Sequence, residues 1–476
     1  RDGLSVLMVE QHYMVGGYCS TFRRAGYTFD ASTHFYPLLG NPETMTGKLL
    51  GELGVTTRWR KMDPVDTFHF PDGERFDVDA DLATYRRHLD ERFPEQREAL
   101  DDFFREVRTV HLLGLLAYFR DHPTPRLDAW RDQTLAEALE RHFDDRRLKL
   151  LLAADCAHWG SAPSQTSFVF DSMLRLSYFD GNYYPEGGSQ AFADELARCF
   201  EERGGDILMS TRARRILVED ETACGVELEI LRGRNRRVLR VAADAVISNA
   251  DLTATVAELL PADRVDPGYR QQIESMQPSF PCFLSHIGLR DVPDDVLERA
   301  QGYYWNAWDA DRVGRNGLRC KVFAPTLYEP RMAPDGGQIV ILQKVLDLDD
   351  PEMAAWASDK ARVERYVTDA LDAAIPGIRD QIVVQTSASA DTARRFTLNR
   401  GGAMLGWTMA PGQLGEQRPS IEGPIRGLWL VGHWVRPGGG ITPVIVSAMR
   451  VAAAILGATE PRRSQSPASA VAEPPA

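Results

Sequence analysis

A glutamate near the start of the chain has the neighbours needed to bind a nucleotide. Glu10 follows the apolar residues 4–9, which predict a buried parallel strand, and Gly16 and Gly17 follow in a turn. In a dinucleotide-binding βαβ unit, the second strand ends in an acidic residue that accepts hydrogen bonds from ribose hydroxyl groups. Glu10 is therefore a candidate ribose ligand, although a strand followed by a glutamate is common.

The glycine-rich half of such a unit does not fit within the sequence. The acidic residue lies about 20 residues after the GxGxxG turn, so that turn would fall before residue 1. Arg1 is not an initiator methionine, which agrees with this placement. We therefore expect the first strand and glycine loop to be missing. We also expect the chain in this form to be unstable and inactive, because a parallel sheet without its central strand has an open edge.

The composition limits the classes of protein to consider. The 476 residues include 55 Lys and Arg against 68 Asp and Glu, a formal net charge of −13, which argues against a nucleic-acid partner. The six cysteines form no CxxC pair and no cluster with metal-ligand spacing, so we expect no metal site, and free thiols in a reducing compartment. No apolar stretch reaches the ~20 residues of a membrane span.

Periodicity then indicates the elements that must position these residues. Residues 81–155 are predicted to be mostly helical, and a helix over residues 189–203 is followed by a strand-rich stretch to Ile247. Strand-like runs alternate with turns over 280–345, and a helix is predicted over 363–375. Near the end, Gly438, Gly439 and Gly440 form a loop before a helix of small residues over 442–456.

Three segments in order resemble the phytoene desaturase superfamily of flavoproteins. They are VEQHYMVGGYCSTFRRAGYTFDAS at 9–32, YYPEGGSQAFADELARCF with its continuation to DAVISNAD at 183–251, and GLWLVGHWVRPGGGITPVIVSAMRVAAAIL at 427–456. Within the superfamily, residues 93–107 and 324–342 are similar to the carotenoid isomerase branch. Retinol saturases are relatives, so the branch stays open.

The resemblance implies an α/β fold with an FAD-binding, Rossmann-like domain of the glutathione reductase type. That domain would comprise residues 1–80, lacking the first strand and glycine loop, together with 181–260 and 396–457. A helical region at 81–180 would face the substrate or a membrane, and residues 261–395 would form a substrate domain of sheet and helices. Residues 458–476 are predicted to be a disordered tail.

The resemblance also implies the residues that hold FAD. The site would be formed by Glu10, Gly16, Gly17, Arg23, Arg24, Arg214, Gly432, His433, Gly440, Ile441 and Thr442. Glu10 would bind the ribose, Arg23 or Arg24 would lie near the pyrophosphate, and Arg214 lies in the strand that borders the adenine.

Two of these assignments have alternatives. Arg23 and Arg24 would equally suit an exposed surface. His433 stands where many relatives have an acidic residue, which accepts ribityl hydrogen bonds better than an imidazole does.

The helix that starts near Ile441 would place free N–H groups by the N1/O2 edge of the flavin, where negative charge develops on reduction.

The implied function is an FAD-dependent oxidoreductase that desaturates or isomerises a carotenoid or related isoprenoid polyene. NAD(P)H or a quinone is the expected redox partner, and no catalytic side chain is assigned because the flavin carries the chemistry. Two alternatives remain: a degenerate flavin fold that only binds, and a flavin oxidase or saturase of another small molecule.

We expect a cytoplasmic protein, peripheral on the inner face of the membrane if residues 111–119 form an interfacial helix.

Such a substrate requires a long apolar tunnel. Its candidate aromatic residues are Phe168, Phe170, Tyr178, Phe179, Tyr303, Tyr304, Trp305, Trp308 and Trp407. The scattered histidines His34, His69, His158 and His286 are interpreted as structural, with His34 the most relevant because its segment is expected to reach the flavin.

Overall fold

The computed structural model describes residues 3–32, 35–232 and 236–459, and shows a mixed α/β fold. Its strands are β1 Leu7–Val9, β2 Thr21–Arg24, β3 Tyr27–Asp30, β4 Tyr36–Pro37, β5 Trp59–Lys61, β6 Asp66–His69, β7 Arg75–Val78, β8 Asn182–Pro185, β9 Asp206–Leu208, β10 Thr211–Glu219, β11 Thr222–Ile230, β12 Arg237–Ala242, β13 Val246–Ser248, β14 Cys282–Arg290, β15 Gly302–Trp305, β16 Leu318–Phe323, β17 Gly337–Val345, β18 Ile382–Ala388 and β19 Leu428–Leu430. Its helices are α1 Met45–Glu52, α2 Leu82–Arg92, α3 Arg97–Gly114, α4 Leu135–His142, α5 Arg146–Ala153, α6 Phe168–Ser177, α7 Ser189–Glu201, α8 Leu252–Ala254, α9 Pro267–Ser275, α10 Asp294–Ala300, α11 Pro351–Ala357, α12 Lys360–Ala374, α13 Ala390–Thr397 and α14 Ile441–Thr459. Among these helices, none combines the length and apolar character that crossing a membrane requires.

A seven-stranded sheet forms the centre of the molecule, in the order β18-β14-β17-β16-β15-β6-β7. Its pairs are antiparallel except β15 with β6. The buried residues of β14, β16 and β17 pack on α11 and α12 through one core cluster. The sheet thus has one face closed by helices. On its other face, Leu284, Ile339 and Ile341 belong to a core cluster with residues of β3 and β8, while His286 and Gln343 line a cavity.

The helical region packs on itself and against this sheet. α3 turns Leu100, Phe103, Phe104, Val107 and Val110 inward at helical spacing. At Gly114 it meets α6 so closely that a Cβ would lie 2.8 Å from the Met173 sulfur. The predicted helical character of residues 81–155 is therefore confirmed, and α6 extends it.

Two short parallel pairs lie apart from the large sheet. β1 pairs with β9, and β13 pairs with β19. The predicted strand at 4–9 is shorter than expected, and the prediction that it is buried is wrong: Leu7 and Met8 are 36% and 42% exposed. β9 is the single strand hydrogen-bonded to β1 among the described residues, which leaves its other edge open.

A buried aspartate connects two of the sequence motifs. Asp30, at the end of the Gly-Tyr-x-Phe-Asp segment, accepts hydrogen bonds from the Tyr184 hydroxyl and from the Ser189 backbone N–H (2.9 Å). Gly188 precedes α7 and has no side chain to cap it, so Asp30 caps the helix from a distant part of the chain. Burial raises the pKa of Asp30.

The predicted segment boundaries differ from the sheets in one place. β6 and β7 lie within residues 1–80, assigned to the cofactor domain, yet both belong to the seven-stranded sheet. The C-terminal helix runs to Thr459, beyond its predicted end at Leu456. The predicted tail from 460 onward lies outside the described residues.

The ion pair between Asp171 and Arg175 should be important for the stability of the helical region. The guanidinium donates to both carboxylate oxygens (2.9 and 3.0 Å) and to the Leu152 carbonyl, and both side chains are buried. We expect Asp171→Ala to lower the free energy of unfolding by about 3–5 kcal/mol, because it leaves a buried charge unpaired. Guanidinium denaturation measures the loss.

Glu202→Ala is the matched control, since it breaks the exposed i,i+4 pair with Arg198 (2.6 Å). Its expected cost is below about 1 kcal/mol. Equal losses for the two variants would contradict the assignment.

Candidate functional site

Segments from both ends of the sequence line one cavity of about 3270 Å³. Residues 4–24 form one side, residues 427–445 form another, and residues from α3, α6 and the large sheet complete it. Ligand pockets for drug-sized molecules measure about 300–1,000 Å³, so this cavity has room for more than one such ligand.

Glu10 lies at the cavity side of the β1–β9 pair. Its backbone N–H donates to the Leu208 carbonyl (2.9 Å), and one carboxylate oxygen accepts from the His12 backbone N–H (2.7 Å). The second carboxylate oxygen has no hydrogen bond to the described residues, so it is available to a ligand. Gly16, with φ of 118°, begins the turn that follows, and a Cβ there would lie 2.9 Å from the Cys19 carbonyl oxygen.

The glycine loop leads directly into α14. The first backbone bond of the helix runs from Val444 N–H to the Gly440 carbonyl (3.1 Å), and Pro443 has no N–H. The N–H groups of Ile441 and Thr442 therefore lack intrahelical acceptors and lie in the cavity lining. Together with the helix dipole, these groups favour an anionic or strongly polarised ligand.

A buried arginine holds this loop in place. The Arg418 guanidinium donates to the carbonyl oxygens of His433 (2.6 Å) and Gln413 (3.2 Å). It has no carboxylate partner among the described residues, and burial lowers its pKa to about 9. Burial, and secondarily Arg418, lowers the pKa of His433 to about 3, so this imidazole is neutral near pH 7. A neutral imidazole offers one donor and one acceptor, which suits a hydroxyl group.

The cavity lining includes all the predicted cofactor residues except Arg214. Arg214 is exposed, because a bulge between Ala213 and Arg215 leaves it outside the strand pairing, and Arg212 and Ala213 line the cavity instead. Arg23 and Arg24 border the cavity from β2 but are exposed, and Arg24 donates to the Arg23 carbonyl (2.7 Å).

The candidate tunnel aromatics are mostly elsewhere. Phe170 and Tyr178 line the cavity, and the other seven do not. Those others fill cores, as Trp407 does against Trp434 with ring centroids 4.5 Å apart. The aromatic character of a residue alone could not show whether its side chain lies in a core or in the wall of a cavity.

The apolar part of the cavity comes from the helical region. Leu112 of α3, the π-helical turn Leu115–Phe119, and Phe170 and Met173 of α6 contribute to it. Leu112 and Leu116 are also 62% and 43% exposed. This branch therefore extends from the interior to an apolar patch on the surface.

Two of the histidines interpreted as structural also reach the cavity, namely His158 and His286. His286 lies on β14, where burial lowers its pKa to about 4. His69 does not line the cavity; its Nε2 lies 2.8 Å from the Gln301 carbonyl oxygen. His34 lies outside the described residues.

Sequence reasoning missed the residues that support the glycine loop. Ser447 accepts a hydrogen bond from the Gly432 N–H (3.1 Å), and the Asn249 side chain lies where a Cβ at Gly432 would point. Arg418 is the third such residue. Asn249 belongs to the "Ser-Asn-Ala" segment already noted. Each of these three residues supports the loop through a partner at least 15 positions away in the sequence, so no pattern of neighbouring residues predicts the contact.

Comparison with known proteins identifies the family that has this fold and cavity. The chain belongs to the flavin containing amine oxidoreductase family, which it matches over residues 1–456, and the cofactor of the family is FAD. The crystal structure of an oxidoreductase from Methanosarcina mazei has the same fold, with a TM-score of 0.66 and 18% identity over 95% of this chain and 94% of that one.

Three relatives are named for different reactions of carotenes or retinol. An all-trans-zeta-carotene desaturase from Myxococcus xanthus is 26% identical over 94% of this chain and 88% of its own length. A chloroplastic prolycopene isomerase 2 from an Oncidium hybrid cultivar is 25% identical over 95% of this chain and 80% of its own length. An all-trans-retinol 13,14-reductase from Danio rerio is 25% identical over 64% of this chain, and the match spans 53% of that protein. The chain thus covers about half the length of the retinol reductases.

The residues present fit FAD on structural grounds. A part-buried carboxylate with an unused oxygen and a glycine loop that exposes two helix N–H groups lie in one cavity. Glu10 would hold the ribose, and Gly440, Ile441 and Thr442 would face the polar edge of the flavin ring.

A methyl group at Gly439 should disrupt this site. A Cβ there would overlap the carbonyl oxygen of Leu405, which is backbone and cannot rotate away. Overpacking of this kind costs about 1–3 kcal/mol, so we expect Gly439→Ala to weaken FAD binding at least about fivefold. The ratio of flavin absorbance to protein absorbance after dialysis measures the loss.

Gly412→Ala serves as the control, since a Cβ at Gly412 meets nothing within 4 Å. If Gly439→Ala retained as much FAD as this control, the loop would not be part of the cofactor site.

Proposed function

We propose that the protein is an FAD-dependent oxidoreductase that acts on a carotenoid or related isoprenoid polyene, by desaturation or by cis–trans isomerisation. The observation that carries this proposal is that apolar residues of α3 and α6 line the same cavity as Glu10 and the glycine loop. A ligand in this apolar branch would therefore lie beside a bound flavin. The relatives that act on carotenes and retinol have polyene substrates, which supports the same class here.

The side chains of the branch suit such a substrate. Leu112, Leu115, Phe170, Met173 and Leu174 offer no charge to a bound molecule. A conjugated hydrocarbon chain gains about 25 cal/mol for each Å² of apolar surface that it removes from water. Bound FAD supplies the hydride chemistry, and the protein orients the polyene and excludes water. NAD(P)H or a quinone would exchange electrons with the cofactor between turnovers.

A product assay tests this proposal. The protein loaded with FAD is incubated with phytoene, zeta-carotene, prolycopene and retinol, with a quinone or NAD(P)H present, and products are separated by chromatography. Desaturation removes two hydrogens from the mass, reduction adds two, and isomerisation changes retention alone. Polyenes left unchanged by a protein that retains FAD would contradict the proposal and favour the non-catalytic alternative. Oxidation of amines instead would favour the oxidase alternative.

We further propose that one more parallel strand, followed by a glycine-rich turn, lies between β1 and β19. Both parallel pairs border the cavity and leave strand edges unpaired among the described residues. Leu7, Met8 and Ile247 are exposed, although parallel strands are normally covered on both faces. The turn after such a strand would bring backbone N–H groups to the pyrophosphate.

A fusion tests for the further strand. A strand–GxGxxG–helix segment from a relative is joined ahead of Arg1, and FAD retention is compared with that of the chain alone. We expect tighter retention, and we expect valine in place of the segment's glycines to abolish the gain. A fusion that retains no more FAD than the chain alone would refute the proposal.

We also propose that the polyene enters from a lipid surface past Leu112 and Leu116. Both side chains are exposed and line the cavity, so an apolar molecule could pass from lipid without crossing water. We expect the double variant Leu112→Asp, Leu116→Asp to reduce co-sedimentation with phosphatidylcholine vesicles severalfold. Val238→Asp, at an exposed apolar position of β12 outside the cavity lining, should sediment like the unmodified protein. Equal sedimentation of all three proteins would be the contrary result.

A further inference from the structure

A buried charged cluster lies where the helical region meets the large sheet. Asp66, Tyr303 and Lys321 come from the neighbouring strands β6, β15 and β16, and His158 comes from the turn Cys156–His158. Lys321 Nζ lies 2.9 Å from the Tyr303 hydroxyl and 3.5 Å from Asp66 Oδ1, and His158 Nε2 lies 3.1 Å from Asp66 Oδ2. The side chains of Asp66, Lys321 and His158 are at most 9% exposed.

His158 is the member of this cluster that reaches the cavity. Asp66, Tyr303 and Lys321 lie behind it and are absent from the lining. Around His158 the lining is aromatic and apolar, with Trp159, Phe170 and Met173 nearby in the chain or on α6. Phe35 packs edge-on against the imidazole, with ring centroids 4.4 Å apart. Tyr178 also lines the cavity, with its ring centroid 6.2 Å from that of His158, and its hydroxyl has no hydrogen bond to the described residues. The polar groups of His158 and Tyr178 are thus set among aromatic and apolar side chains.

The environment of His158 determines which hydrogen bond its ring can make. Burial, followed by the charge of Lys321, lowers the pKa of His158 to about 4 despite the attraction of Asp66, so the ring is neutral near pH 7. Asp66 Oδ2 is nearer to Nε2 than Lys321 Nζ is (3.1 against 3.4 Å), so we assign the ring proton to Nε2. Nδ1 is then an acceptor, and it has no hydrogen bond to the described residues. Such an acceptor takes a bond from a hydroxyl group but not from a carbonyl or a hydrocarbon.

We propose that the substrate is an isoprenoid polyene with a terminal hydroxyl group, and that His158 Nδ1 accepts the hydrogen bond of that hydroxyl. The inference rests on the proposed function and narrows its substrate class. A hydrocarbon end at this position would leave a buried acceptor unsatisfied, whereas an alcohol would satisfy it. A site built to hydrogen-bond a substrate group discriminates against the analogue that lacks it. Asp66 and Lys321 are positioning residues that fix the ring and its proton.

Ligand binding by the full protein tests the proposal. The probes are all-trans-retinol and the matching hydrocarbon in which a methyl group replaces its CH₂OH group. Quenching of tryptophan fluorescence reports both, because Trp159 lines the cavity beside His158. A hydrogen bond worth about 1 kcal/mol corresponds to a five- to tenfold preference, so we expect the alcohol to bind about that much more tightly.

Two substitutions at His158 distinguish a contact from a structural role. His158→Phe should remove the preference by weakening the alcohol alone, and His158→Gln should keep part of it, since its amide oxygen can accept. His111→Phe is the matched control, at a part-buried histidine of α3 outside the cavity lining, and should keep the full preference. Thermal unfolding midpoints show that each variant is folded, and if His158→Phe does not fold, the unmodified protein and His158→Gln decide.

The outcomes separate the two proposals. Equal affinity of the unmodified protein for both probes, or equal weakening of both by His158→Phe, would overturn the role of His158 while leaving the polyene function standing. Failure of the unmodified protein to bind either probe would also overturn the role of His158, whereas the polyene function is overturned only if the product assay leaves the carotenes and retinol unchanged.

Discussion

The cavity exists because hydrogen bonds hold together segments that are far apart in the sequence. The Tyr18 hydroxyl donates to the Ala403 carbonyl (2.9 Å) across 385 positions, and the Thr442 hydroxyl donates to the Pro37 carbonyl (3.2 Å) across 405. These contacts set the strand that ends in Glu10 opposite the start of α14. The cavity lining is therefore a property of the tertiary fold.

The predicted site residues and the cavity lining agree where a backbone pattern led to the prediction. Glycine turns before helices and an acidic residue after a strand are short-range sequence patterns. Glu10, Gly432 and Gly440 were predicted from such patterns, and all three line the cavity. The same approach failed for Arg214, since a bulge reverses the direction of a side chain without any change in composition. It also missed Arg418, whose partners are carbonyl groups that only the folded chain brings near.

The fold was predictable where a short stretch of sequence determines an element, and not where the element depends on distant residues. Helices with a regular apolar face, such as α3, appear directly in the spacing of residues. The membership of β6 and β7 in the seven-stranded sheet was not predictable, because a parallel pairing between residues 68 and 303 leaves no local trace. His158 was interpreted as structural on the same grounds. Its contacts come from three strands and a turn that meet beside the cavity, and residue type alone does not predict such a meeting.

The way the helical region is attached has a consequence for how proteins of this architecture diversify. Residues 82–177 leave β7 of the large sheet and return to β8, and both strands are anchored by pairing outside the helices. The helices can therefore change length or packing while their end points stay fixed. Mutations that reshape the apolar branch need not disturb Glu10 or the start of α14. Substitutions in the helical region could thus change the ligand that the apolar branch accepts, while the residues around Glu10 and the start of α14 stay the same.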